Sequence, residues 1–332
     1  MTTVSPQRFL RVRLLSLVFL AAILMPRPAI AQSARYAVVI EGTSGEEQYA
    51  TMHRQWVDKL VGILRDKFKF EAANLTVLTE TPKQGEALAN IANVKATFGK
   101  LAQEAKKDDT VFVMLIGHGT GSGADAKFNL VGPDLTVTEW NALLQPIAAR
   151  IAFVDASSAS AAYLKGLAGP ERVIITATNS PAQVYHPVFG EAFIDALTSS
   201  GADLDKDNRI SLWEAFVYAS KTVEQHYQRA GTLATEHAVL DDTGQGTGRD
   251  AAATVTGATL ATLTYLDAPA ATRSADPAIQ ALLDRRDALN KQIDDLRRRQ
   301  SSMPAAEFDQ AFEKLVLELS QVSAEIRKKG GS

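Results

Sequence analysis

The chain has 332 residues, 35 basic and 38 acidic side chains, 46% apolar residues and no cysteine. The apolar share excludes a generally disordered chain, and the length suits one large domain with an appendage. Without cysteine there is no disulfide, thiolate metal site, iron–sulfur cluster or thiol nucleophile.

Residues 1–31 read as a secretory signal. Arg8, Arg11 and Arg13 precede a short apolar run at 14–25, and Ala29-Ile30-Ala31 supplies small residues for cleavage after Ala31. The run is too short for a comfortable membrane span, although an uncleaved N-terminal anchor is the alternative. A periplasmic or secreted chain is therefore expected. Losing four Arg and no acid leaves 31 basic against 38 acidic groups, a net of −7. Nucleic-acid binding needs a basic footprint that this chain lacks. No other apolar run is long enough to span a bilayer.

Residues 36–40 (YAVVI) predict a buried parallel strand. A Gly/Ser turn at 42–45 follows, then a helix over about 46–70 with Trp56, Leu60, Ile63, Leu64 and Phe68 at helical spacing. A strand at 75–78 precedes a helix over about 85–106. Residues 111–116 (VFVMLI) form a third strand running into Gly117-His118-Gly119. A helix around Trp140 leads to a fourth strand, 151–154, which ends in Asp155-Ala156-Ser157-Ser158-Ala159-Ser160. A fifth strand at 173–176 is followed by helices from about 189. Such alternation specifies a parallel sheet with helices on both faces, and chemistry in such folds sits at the carboxyl ends of the strands. His118, beside glycines and their exposed N–H groups, and the hydroxyls at 157–160 lie at two such ends.

An apolar strand into Gly-His-Gly, followed by an apolar strand into Asp-Ala-Ser-Ser-Ala-Ser, resembles the legumain/caspase-like cysteine peptidases over residues 36–227. The resemblance implies a three-layer α/β sandwich on a mostly parallel six-stranded sheet. It implies that His118 is the general base and the Gly119 N–H the oxyanion donor. In one register Ser157 stands where the family has its cysteine; in the other Ser158 does. Asn179 and Ser180 fall where the family builds its substrate pocket. A hydroxyl loses its proton far less readily than a thiol of pKa near 8.5, and it needs a base held by a third group. The expectation is a peptidase fold without turnover, retaining a cleft for a peptide or protein ligand. A hydrolase using Ser157 or Ser158 with His118 is the alternative.

Residues 203–214 follow EF-hand spacing. Asp203, Asp205, Asp207, Ser211 and Glu214 supply oxygens at positions 1, 3, 5, 9 and 12, and Arg209 a backbone carbonyl at position 7. Asn208 replaces the usual glycine. The loop is a candidate calcium site and the chain a candidate calcium-responsive structural protein; an Asp-rich turn capping the next helix is the bland reading. Residues 241–246 predict a tight turn. His53, His186, His226 and His237 lack metal-ligand spacing and are expected at surface or packing positions. Residues 259–266 suggest a last strand, ending a main domain over 32–266, and 267–275 a linker. Residues 276–329 carry apolar side chains at steps of three and four, broken at 301–304, and predict a two-helix coiled-coil hairpin that packs on its own domain, a second copy or another protein.

Overall fold

The structure is a computed structural model, and it describes residues 33–329 apart from 184, 206, 208, 256–257, 269–275 and 300–302. The signal segment, and the linker beyond residue 268, lie outside the described residues. In chain order the elements are β1 (Arg35–Glu41), α1 (Glu47–Gly62), β2 (Leu75–Thr79), β3 (Ala87–Leu88), α2 (Ile91–Glu104) and β4 (Thr110–Ile116). Next come β5 (Gly119–Thr120), β6 (Lys127–Phe128), β7 (Leu135–Thr136), α3 (Val137–Leu144), β8 (Arg150–Asp155), α4 (Ala161–Gly166) and β9 (Arg172–Thr176). The chain continues through α5 (Phe189–Ala196), α6 (Leu212–Ala230), β10 (Val239–Asp241), α7 (Pro277–Arg298) and α8 (Ala305–Lys328).

The α/β architecture matches expectation. The main sheet has seven strands, one more than the six expected, in the order β10-β9-β8-β4-β1-β2-β3; all pairs are parallel except β10 with β9. The extra edge strands are too short to carry a periodic signal. The anticipated strand at 259–266 does not form. Leu263 N–H instead turns back onto the Thr259 carbonyl, and only Tyr265 bridges to Ser211. The second helix starts six residues later than expected, because Asn90 caps it through the Asn93 N–H while Ala87–Leu88 pair with β2.

Alternation along each strand builds two cores. Val39, Met114, Val154 and Ile175 face α1, α5 and α6, whereas Val38, Val113, Phe153 and Ile174 face α2, α3 and α4. This is a three-layer sandwich. The C-terminal hairpin forms as predicted, with Leu283, Leu289, Val322 and Ile326 buried in a small core of its own. No described helix is long and apolar enough to cross a membrane.

β1 has β2 on one side and β4 on the other, so strand order reverses between β1 and β4. Ligand crevices open outside the carboxyl ends at such a switch point. Here the chains nearly touch: the Gly42 N–H donates to the Ile116 carbonyl at 2.9 Å, and a Cβ on Gly42 would lie 2.2 Å from the Asn129 carbonyl oxygen. Gly42→Ala should therefore destabilise the fold by about 3 kcal/mol, measured by urea unfolding, whereas Gly62→Ala, with open space at its Cβ, should not.

Candidate functional site

Three parallel strands end at this crevice. β1 leads to Gly42–Ser44, β4 to Gly117-His118-Gly119, and β8 to Asp155-Ala156-Ser157-Ser158. Gly117 takes φ +151°, where its Cα faces the Gly42 backbone and a side chain would crowd it. The Asn129 N–H donates to the His118 carbonyl, which anchors the turn from β4 into the β5–β6 hairpin.

Histidine and serine tips are thus neighbours, as the sequence led one to expect. Gly119 packs so closely on the serine tip that a Cβ would meet Ala159 at 2.7 Å and Ser157 Oγ at 3.0 Å. The Gly119 N–H donates to Ser158 Oγ at 3.4 Å, and the Ser158 hydroxyl donates to the Gly119 carbonyl at 3.3 Å. Ser157 is fully buried, and its Oγ has no hydrogen-bond partner among the described residues. Ser160 lies apart from the crevice chemistry: its hydroxyl pairs with Thr178 Oγ1 at 3.0 Å and joins the start of α4 to the end of β9. Asn179 and Ser180 form a turn in which Gln183 Oε1 accepts the Asn179 N–H.

The His118 imidazole does not pair with either serine. It is packed edge-on to Tyr49 at 4.9 Å between ring centres, 5.5 Å from His53 and 5.2 Å from His186. Ring nitrogens of His53, His118 and His186 all lie within 4.8 Å of one another. His53 is buried on the inner face of α1, and its Nδ1 is 3.2 Å from Ser44 Oγ. His186 precedes α5, stacks on Trp56, and is followed by a backbone fixed by Glu236, whose carboxylate accepts the Val188 and Phe189 N–H groups. Burial, with the neighbouring imidazoles, pushes His53 down to about 3 and His186 to about 4; burial also lowers His118, opposed by its hydrogen bond to the Ser44 backbone. All three rings are therefore neutral near pH 7. His53 Nε2 and both His186 nitrogens are buried without a hydrogen bond, and an orphaned buried polar group costs about 1–3 kcal/mol.

His53 and His186 are packing residues, as expected, but their ring nitrogens gather with that of His118, whereas His226 and His237 are exposed. No linear motif joins three histidines from a helix, a strand end and a loop. The one available hint was that His53 shares the apolar face of α1 with Trp56 and Leu60.

The acidic loop precedes α6. Carboxylate oxygens of Asp203, Asp205 and Glu214 lie within 4.8 Å of one another. Glu214 also completes a capping box with Ser211 and accepts the Leu204 N–H at 2.8 Å. Burial, together with the negative field of Asp207, Glu214 and Asp203, raises Asp205 against the pull of the Asp207 N–H. Asp207 Oδ1 accepts the Arg209 N–H. The Arg209 guanidinium pairs with Asp267 at 2.7 Å and lies over the Tyr265 ring. The predicted turn at 241–246 is present, with Asp241 accepting from Thr243 and Gly246.

No family model matches the chain, and no curated protein matches it. Solved structures do. A protein from Geobacter sulfurreducens aligns at 11% identity and TM-score 0.44, covering 63% of this chain and 92% of that one. The Drosophila initiator caspase Dronc aligns at 10% and 0.39, covering 64% and 81%. A secreted C11 cysteine protease from Bacteroides thetaiotaomicron, iotapain, aligns at 7% and 0.37, covering 79% and 71%. These are likenesses of fold, and no residue role follows from them.

Asp155 ends β8 fully buried, accepting the Ser157 N–H at 2.9 Å. Burial raises its carboxyl to about 6, with Ser157 pulling the other way. The folded state thus binds its proton more tightly than the unfolded state, for which about 3.9 is usual. The resulting penalty on stability is full above pH 6 and vanishes below pH 4. Asp155→Asn should stabilise the protein by about 2–3 kcal/mol at pH 8 and by about 0.5 kcal/mol or less at pH 4, read from denaturant unfolding at the two values.

Proposed function

We propose that the chain is an exported protein with a peptidase-like sandwich that binds a ligand and does not turn over peptide bonds. Its role is binding or scaffolding in the cell envelope, with a peptide or protein segment taken at the crevice and the hairpin free to engage a second copy or a partner.

One observation carries the reading: the Gly119 N–H, which would have to stabilise an oxyanion, is in contact with the Ser158 hydroxyl that would have to attack. Acyl transfer needs both groups at one substrate carbonyl, the hydroxyl at its carbon and the N–H at its oxygen, whereas here the Ser158 hydroxyl donates to the Gly119 carbonyl and has no base to take its proton. The base is engaged elsewhere, since His118 packs among Tyr49, His53 and His186. Ser157 is too buried to meet a substrate. A fluorophosphonate probe should therefore leave the intact protein unlabelled at both serines, by mass spectrometry. Stoichiometric labelling of Ser157 or Ser158 that His118→Ala abolishes would establish the serine hydrolase instead.

Calcium at residues 203–214 is a second proposal, supported by the convergence of Asp203, Asp205 and Glu214. Binding there would tie α5 to α6 and add a structural, calcium-responsive element. Millimolar calcium should raise the melting temperature by several degrees in the wild type and not in Asp203→Ala. Equal behaviour of the two proteins removes the proposal.

A further inference from the structure

Three imidazoles from α1, the β4 tip and the segment before α5 point their ring nitrogens at one volume at the switch point of the sheet. We propose that His53, His118 and His186 form a binding site for a divalent transition-metal ion, zinc foremost.

The nature of the donors selects the ion. Neutral imidazole suits zinc, copper, nickel and cobalt, and it is a poor ligand for calcium or magnesium. Three histidines with a fourth position left for water or an anion are a recurrent zinc arrangement. Tetrahedral coordination at about 2.0–2.1 Å sets neighbouring nitrogens about 3.3 Å apart, and the ring nitrogens, within 4.8 Å of one another, need to close by only about 1–2 Å to reach it.

Two further observations distinguish this cluster from histidines that merely pack together. His53 is wholly buried, yet its Nε2, on the side away from Ser44, has no hydrogen-bond partner; His186 leaves both ring nitrogens without one. Hydrogen bonds among three such rings cannot satisfy every nitrogen, whereas a cation at the centre accepts a lone pair from each. Moreover, Ser44 touches two of the three rings, through its hydroxyl to His53 Nδ1 and through its backbone to His118. Holding one ring nitrogen from behind fixes the tautomer and aims the other at the metal, as an outer partner does in histidine metal sites. Trp56, stacked on His186, and Tyr49, against His118 and His186, complete a wall around the volume. Gly190 lets Trp56 sit there, since a Cβ would be 2.9 Å from the indole. An ion so bound would occupy the His118 lone pair that a general base needs.

The test uses the full chain, stripped with a chelator and titrated with cobalt(II) alone. One ion per chain should bind with the intense visible bands of a four-coordinate nitrogen site, and one equivalent of zinc should displace it. His53→Gln and His186→Gln should each weaken binding by at least about 100-fold. Ser44→Ala, which keeps every ligand, should weaken it by about 10–100-fold. His226→Gln, on the surface, should change nothing. If a histidine variant fails to fold, as circular dichroism would report, the wild-type spectrum and Ser44→Ala still decide. A pale six-coordinate spectrum, no stoichiometric ion, or wild-type affinity in folded His53→Gln or His186→Gln overturns the site.

Discussion

The crevice depends on backbone touching backbone where β1 and β4 end. Gly42 and Gly117 meet there with no side chain between them, and Gly119 then rests directly on the serine tip after β8. A Cβ at Gly119 would strike Ala159 on the serine tip, and one at Gly42 the Asn129 carbonyl and Phe128 ring of the hairpin that follows β4, each under 3 Å away. The parallel register of β1, β4 and β8 brings the three tips level, and the glycines close the remaining gap. Every polar group of interest is positioned by that closure. His118 leaves the sheet between two glycines, and Ser44 leaves it after a third.

From this arrangement the chemistry follows by what faces what. The imidazole of His118 looks across the crevice toward α1 and the segment before α5, while the hydroxyl of Ser158 is folded back onto the Gly119 peptide. An aliphatic hydroxyl has no accessible anionic form near neutrality, so it depends wholly on a base in hydrogen-bond contact. In the proposed reading a hydroxyl without that contact is a far poorer nucleophile than a thiol, which ionises near pH 8.5 unaided. The same geometry gathers neutral nitrogen donors on the other side of the turn. The His118 ring thus faces the other two imidazoles and has no hydrogen bond to the serine hydroxyls.

Much of the scaffold was legible in the sequence, because each central strand is an apolar run flanked by glycine or acidic residues, and each long helix shows its apolar stripe. The α7–α8 hairpin is written in the steps from Leu289 to Ile293 to Leu296 and their partners. The two-residue β3 and three-residue β10 were not legible, since their pairing comes from the neighbours they reach and not from their own pattern. Of the site, His118, Gly119 and the serine tip could be read as strand-end residues. Their orientation could not, for rotamer and turn geometry leave no trace in spacing. His53 and His186 were missed because they join His118 only through tertiary packing across α1 and the segment before α5.

The most direct test of the separation between base and hydroxyl exploits the absence of cysteine from the chain. Ser158→Cys places a unique thiol at the tip, and its ionisation can be followed by the pH dependence of alkylation by iodoacetamide. With His118 turned toward His53 and His186, the thiol should titrate at or above the ordinary value of about 8.5, unchanged when His118→Ala is added. A thiol ionising well below pH 7, and returning to the ordinary range on His118→Ala, would contradict the account.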